Sequence, residues 1–376
     1  MVFIALLLST IGILEIWTIN PSLAQKQIIF LVFSIFLGYF VYLKFKFAYI
    51  ELFFFPFLAL TIFLLFLVHF IGNDINRWID LKFFYFQPSE LTKLLLPFLF
   101  YLYNPSENLV KVSIIIFALF LLIITQPDLG FSISILFVSF FVFLYSNVNK
   151  NLLIFFIFSI IAVFSSFNII SFVLAFTVLL FVLIILKSRW YWSLLTILVF
   201  IFISIITPII WNNMLKPYQR TRIIAFLNPE AYKKNEAYQI YQSQIAIGSG
   251  KIFGNGYNKG TQKKFGFLPE AHTDFIFASI CEDFGFLGGF ITLTLIFILI
   301  LRGLLILNKI EDERIKRFVL TILLFYIYSF IVNISVNLGI MPTKGYPLLF
   351  VSYGGSHLVL DYICLFLIMS VKKSLP

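Results

Sequence analysis

Apolar stretches long enough to cross a lipid bilayer recur from one end of this chain to the other, and no other feature limits its fold so severely. A spanning helix needs roughly 17–25 mostly apolar residues, because the hydrocarbon core is about 30 Å thick and each helical residue rises about 1.5 Å. Stretches meeting or approaching that length fall at residues 3–18, 27–44, 50–70, 89–103, 111–125, 129–146, 151–166, 169–186, 191–210, 274–302, 317–340 and 346–371. The pair within 151–186 is among the shortest. Of 376 residues, 61% are hydrophobic and only 12% charged, where a soluble domain has about a quarter charged. The expected fold is therefore all-α, a polytopic transmembrane helix bundle of about 10–12 spans, forming a single membrane domain over residues 1–376. One loop, about 211–273, is too long and too polar to be a simple connection.

Charge sets the expected orientation. Cytoplasmic loops carry an excess of Lys and Arg. Lys44 and Lys46, Lys150, Lys187 and Arg189, the run from Arg302 to Arg317, and Lys372 with Lys373 all fall on one side of the twelve-span arrangement. Both termini are then cytoplasmic, and residues 71–88, 126–128, 211–273 and 341–346 face outward. The first stretch lacks a basic leader and an A-x-A site, so it reads as a retained span. The net charge of +10 is ordinary for basic inner loops and does not point to nucleic acid. Cys281 and Cys364 both lie in apolar runs, which argues against a disulfide framework or a metal cluster.

The long outer loop holds nine Lys or Arg against three Glu, net +6. A basic outer surface suits an anionic partner such as phosphate or pyrophosphate, although it is equally the mark of a solvated loop. Arg220 and Arg222, in Tyr218-Gln219-Arg220-Thr221-Arg222, have the spacing of a bidentate phosphate clamp. Gly248, Gly250, Gly254 and Gly256 allow close backbone approach to a ligand.

Ionisable residues at membrane depth are costly, and each is by default a functional candidate. Several gather on the outer side. Arg77 and Trp78 lie in GNDINRWID; Trp78 alone would be an interface-belt aromatic. Glu90 and Lys93, in QPSELTK, are three apart on one helical face, as either a self-satisfied ion pair or part of a cavity. Pro88 suits the first turn of that helix. Asp128, in TQPDLG, is either a turn former and helix cap or a site residue. His272 and Asp274, in PEAHTDFIF, stand where the loop becomes a span; Asp274 is either the N-cap of that helix or a general base beside a basic loop. Lys344, in PTKG, and Ser352, in SYGGS, come from the last outer loop.

GNDINRWIDLKFFYFQPSELTK, TQPDLG, YQRTRIIAFLNPE, QSQIAIGSG, FLPEAHTDFIFASICEDFGFLG and MPTKGYPLLFVSYGGS occur in this order. Each resembles a motif of the SEDS proteins, the RodA/FtsW group, over about residues 72–130 and 217–357. GTQKK and YQRTRIIAFLNPE look more like RodA, PTKG more like FtsW. The family has ten spans, so the hydrophobic pair near 150–190 departs from its pattern. The resemblance implies a bacterial cytoplasmic-membrane enzyme that polymerises lipid II outside the membrane, a peptidoglycan glycosyltransferase working with a class B penicillin-binding protein in the elongation or division machinery. It places the catalytic aspartate on Asp274, a membrane-embedded pair on Glu90 and Lys93, and a sensitive pair on Arg77 and Trp78. It also implies a divalent cation, Mg or Mn, although the sequence shows no ligand cluster for one. No Walker motif or GxGxxG unit is present, which points away from nucleotide chemistry. The rival functions are a lipid II flippase, another lipid-linked glycan enzyme such as an O-antigen ligase-like protein, and a non-catalytic scaffold. Transporters carry charges at mid-membrane on repeated halves; here the polar residues lie on one side.

Overall fold

Helix boundaries fall where short polar side chains and prolines interrupt the apolar runs. The computed structural model describes residues 1–71, 77–80, 82, 85–126, 128–213, 220–221, 224, 226, 238–342 and 345–373. Its helices are α1 (Val2–Ile19), α2 (Pro21–Lys44), α3 (Ala48–Ile71), α4 (Thr92–Leu102), α5 (Leu109–Ile124), α6 (Leu129–Tyr145), α7 (Lys150–Ser165), α8 (Ile169–Ile185), α9 (Trp190–Asn213), α10 (Tyr238–Ser249), α11 (Thr261–Lys264), α12 (Ile276–Leu307), α13 (Glu313–Asn337) and α14 (Gly355–Lys373). Two two-residue strands, β1 (Ile79–Asp80) and β2 (Tyr85–Phe86), pair antiparallel just before a 3-10 turn at Pro88–Leu91. Asn20 caps α2 by accepting from the Ser22 and Leu23 N–H groups, with Pro21 in the first turn. Asp312 caps α13 in the same way, through Arg314 and Ile315. Each cap satisfies N–H groups that have no partner inside the helix.

Every expected span contains one of these helices. Seven, α1, α2, α3, α9, α12, α13 and α14, are long and apolar enough to cross a membrane. Four more, α5 to α8, are apolar but shorter. At 11 residues α4 reaches only about 16 Å, half a bilayer core. The protein is a polytopic transmembrane helix bundle.

Three expected spans differ in detail. Residues 89–103 form the 3-10 turn and α4 instead of one long helix. Residues 346–354 are not helical, although Tyr346, Leu348, Leu349, Phe350, Val351 and Ser352 are all buried. Pro347 and the Gly354-Gly355 pair oppose a helix there, and irregular backbone at depth is tolerated when protein surrounds it. The third is α12, which bends at Gly285 (φ 67, ψ −164). The chain at 251–256 packs against that bend: Lys251 and Ile252 carbonyls accept from Phe286 and Leu287, while Asn255 and Gly256 donate to Glu282 and Asp283 carbonyls. A Cβ at Gly285 would stand 2.3 Å from the Gly254 nitrogen, so the two backbones meet only as glycines.

Contacts group the chain into two compact units, Met1–Val142 with Asn228–Pro376, and Phe143–Leu227. The larger unit has α14 packed along α2 and α13 along α4. Its core runs from Ala5 and Leu8 through Ile276, Phe318 and Ile322 to Tyr362 and Leu365. The smaller holds α7, α8 and α9 around Ile154, Phe158, Ala162, Leu179, Leu183 and Phe200.

Candidate active site

The sequence LPEAHTD cannot stay helical, and the chain makes a tight turn before α12. Glu270 takes a left-handed conformation (φ 56), and its carbonyl accepts from both Thr273 and Phe275 N–H. The next carbonyls are held from other segments. Tyr353 N–H donates to His272 O at 2.9 Å. Ser352 Oγ donates to Thr273 O at 2.6 Å and accepts from Leu348 N–H. Asn333 and Asn337 side-chain amides, one α13 turn apart, both donate to Asp274 O at 2.9 Å. The buried irregular 346–354 segment is thus the support of this turn.

These bonds lock the Asp274 backbone and leave its carboxylate unbonded. Among the described residues no donor reaches either oxygen, and Oδ2 faces Gly345, where a Cβ would stand 3.2 Å away. Asp274 does not cap α12: the N-cap position is Phe275, with no side-chain capping bond. Of the two sequence readings, the cap is therefore excluded. Burial pushes the Asp274 carboxyl up to about 7, nearby Glu270 adds to the rise, and the Arg77 charge opposes it. His272 is half-buried with its ring against Tyr353, 5.6 Å between centroids. Burial lowers its pKa, which favours the neutral ring.

Asp128 stands close by, since a Cβ at Gly130 would meet both Gly345 O and Asp128 Oδ1. It is a cap: Oδ1 accepts from Phe131 N–H at 3.2 Å at the start of α6. Its other oxygen accepts from Gln87 Nε2 at 2.6 Å and Ser89 Oγ at 3.1 Å. Burial raises its pKa while the Arg77 charge lowers it. Arg77 Nε donates to Gln126 O at 3.2 Å. Arg77, Asp128 and Asp274 thus share one electrostatic neighbourhood. Trp78 is exposed, its ring tilted against Tyr85 at 6.2 Å.

Glu90 and Lys93 are not each other's ion-pair partners. Lys93 Nζ lies 2.9 Å from Asp361 Oδ1 and 2.8 Å from His357 Nδ1, both on α14. Asp361 and His357 are missing from the sequence reading. The signal was present: a His and an Asp four apart within the apolar last span.

The glycine-rich loop has its own partners. Lys263 is buried against Glu15 Oε1 at 2.5 Å, Thr18 Oγ1 at 2.6 Å and Asp283 Oδ2 at 2.6 Å. Asn258 and Gly260 N–H groups donate to the Asp283 carboxylate, and Gln262 N–H to Glu282. Its close backbone approach serves the protein's own carboxylates. Lys251, Lys259 and Lys264 remain exposed. Arg220 belongs to the smaller unit, where its Nη2 donates to Asn212 O at 2.6 Å. Arg222 and Lys344 lie outside the described residues. Among the described residues no three of His, Cys, Asp and Glu form a group able to hold a metal ion.

Comparison with known proteins places this arrangement. The family model described as cell cycle protein, FtsW/RodA/SpoVE, matches residues 1–175 and 168–375. The two matches meet inside the hydrophobic pair near 150–190. Peptidoglycan glycosyltransferase MrdB of Escherichia coli K12 is 34% identical over 310 residues, covering 80% of this chain and 72% of that protein. Peptidoglycan glycosyltransferase RodA of Treponema pallidum is 40% identical over 184 residues, 49% of this chain and 42% of that one. A solved structure from work on polymerisation and crosslinking by a peptidoglycan synthase complex superposes with a TM-score of 0.73 at 23% identity, covering 99% and 96% of the two chains. That likeness carries the fold. The chain belongs to the FtsW/RodA/SpoVE family.

Proposed function

We propose that this protein is a peptidoglycan glycosyltransferase that joins lipid II disaccharides into β-1,4-linked glycan strands at the outer face of the cytoplasmic membrane, in RodA-like work with a class B penicillin-binding protein. The observation that carries the reading is Asp274. Its backbone carbonyl is held by two asparagine amides, and among the described residues its carboxylate meets no hydrogen-bond donor and is raised to about 7. A structural acid in a membrane protein is normally satisfied; a general base must keep a free lone pair and a pKa near the working pH.

The mechanism follows from this inventory. Asp274 takes the proton of the acceptor 4-hydroxyl as its oxygen attacks the donor C1. The C1–oxygen bond to the lipid pyrophosphate breaks on the opposite face, so the α-anomer becomes a β-linkage. Pyrophosphate is a good leaving group once its charge is matched, which needs cations more than a strong acid. Arg77 supplies positive charge in the neighbourhood of Asp274; Arg220, Arg222 and Lys344 are further basic candidates from the sequence for binding the pyrophosphate. Trp78, Glu90, Lys93, Asp128, His272 and Ser352 bind or position the substrate. A divalent cation, Mg or Mn, would supply further positive charge to the leaving pyrophosphate. The 211–273 loop is outside, and both termini are cytoplasmic.

The test is polymerisation of lipid II by the purified protein in detergent, alone and with its transpeptidase partner. Detergent abolishes sidedness, so a flippase gives no strands. Absence of glycan product from folded protein with its partner overturns the reading.

A further inference from the structure

Lys93, His357 and Asp361 form a buried cluster in which Lys93 bonds both partners. Their exposures are 3%, 2% and 1%. Lys93 Nζ meets His357 Nδ1 at 2.8 Å and Asp361 Oδ1 at 2.9 Å; His357 Nε2 and Asp361 Oδ2 lie 3.0 Å apart but form no hydrogen bond. With Nδ1 accepting from the ammonium, the imidazole proton sits on Nε2. The cluster is fixed from outside. Tyr326 OH donates to Asp361 O at 2.7 Å, and Cys364 Sγ lies 3.7 Å from Lys93 O.

Glu90, one turn earlier in the chain, makes no ion pair with Lys93, and its Oε2 shares its lack of a donor with Asp361 Oδ2. Glu90 is 3% exposed, and its Oε2 is buried without a hydrogen-bond partner. The Ser356 hydroxyl is its side-chain neighbour. The cluster therefore holds two carboxylates for one ammonium, and the ammonium is already matched by the carboxylate 268 residues away. A buried oxygen without a donor is costly and is kept where a ligand supplies the donor.

We propose that Asp361 is a positioning residue: it holds the charge of Lys93 and so leaves the Glu90 carboxylate open to a hydroxyl or amide donor of the lipid-linked glycan. The inference rests on the glycan-polymerase reading above. Without Asp361, the nearest anion for Lys93 is Glu90, whose carboxylate is then no longer open.

The experiment measures KM and kcat for lipid II, with thermal melting, for Glu90→Gln, Asp361→Asn, Asp361→Glu and the Asp361→Asn/Glu90→Gln double variant, each with the transpeptidase partner. Glu90→Gln and Asp361→Asn are each expected to raise KM by about tenfold to a hundredfold, the loss of one hydrogen bond to a charged group, with kcat little changed. The double variant is expected to match Glu90→Gln alone, because both changes remove the same free charged acceptor. Asp361→Glu restores most of the affinity. Effects that multiply in the double variant, or an unchanged KM in Asp361→Asn, overturn the proposal. If Asp361→Asn does not fold, Lys93→Met/Asp361→Asn removes the pair as a unit. It is expected to melt above Lys93→Met, and melting below it overturns the pairing. The melting comparison needs no catalysis, so a protein that makes no glycan fails the functional reading while still testing the pairing.

Discussion

Replacing Asp274 by Asn tests the site most directly, because the structure gives the substitution almost nothing structural to break. The hydrogen bonds at this residue run through its backbone carbonyl, to Asn333 and Asn337, and survive the change. No capping bond is lost, since Asp274 does not cap α12. Its carboxyl is raised to about 7 by burial. A carboxyl raised in the folded state binds a proton on folding, so its ionisation destabilises the protein as pH rises from about 4 through about 7. A rise of about three units corresponds to at most about 4 kcal/mol, reduced by the partial exposure of the residue. Asp274→Asn should therefore melt at or above wild type near pH 7.5, and close to it at pH 4. Activity should behave oppositely, falling about 10²–10⁴-fold with loss of the base. Glycan-strand synthesis from lipid II and thermal melting on the same preparations give both numbers. Near-wild-type synthesis by a folded Asp274→Asn protein refutes the assignment, and a large drop in melting temperature refutes the account of an unbonded carboxylate.

Wild-type polymerisation should rise with pH and level off above about 7, because the base acts only when deprotonated; a flat profile from pH 5 to 8.5 contradicts the Asp274 assignment. In intact cells an impermeant thiol reagent should label Asn258→Cys and spare Asn308→Cys, and the reverse pattern inverts the proposed topology. Lys263→Met should lower stability by about 3–5 kcal/mol, because it strands the buried carboxylates of Glu15 and Asp283. Melting within a degree or two of wild type would show that this ion cluster carries little.

Helix number and position were legible in the sequence because membrane spans announce themselves by apolar length. The short α4 and the irregular 346–354 segment were not, because a span-length pattern does not distinguish helix from backbone buried among other helices. Candidate residues emerged from cost: a charge at membrane depth needs a reason. That argument found Asp274, Asp128 and Arg77, which the fold gathers from separate segments. It missed partnership. Glu90 and Lys93 are neighbours in sequence, yet the ion pair of Lys93 is made across 268 residues with Asp361. The loop lysines looked interchangeable, and only packing shows that Lys263 is buried while Lys259 and Lys264 are not. The Asn333 and Asn337 clamp on Asp274 was equally hidden, since two asparagines one turn apart carry no mark of the carbonyl they share.

The bond between Glu15 and Lys263 also bears on the order in which the protein is made. The partners are 248 residues apart. At a synthesis rate of 5–20 residues per second, about 12–50 seconds separate their emergence. Through that interval α1 is in the membrane with an acidic side chain near its end and no countercharge. The ion pair of Glu15 forms only once the loop after α10 has been made. A chain that ends before residue 263 lacks the countercharge that Glu15 has in the finished fold.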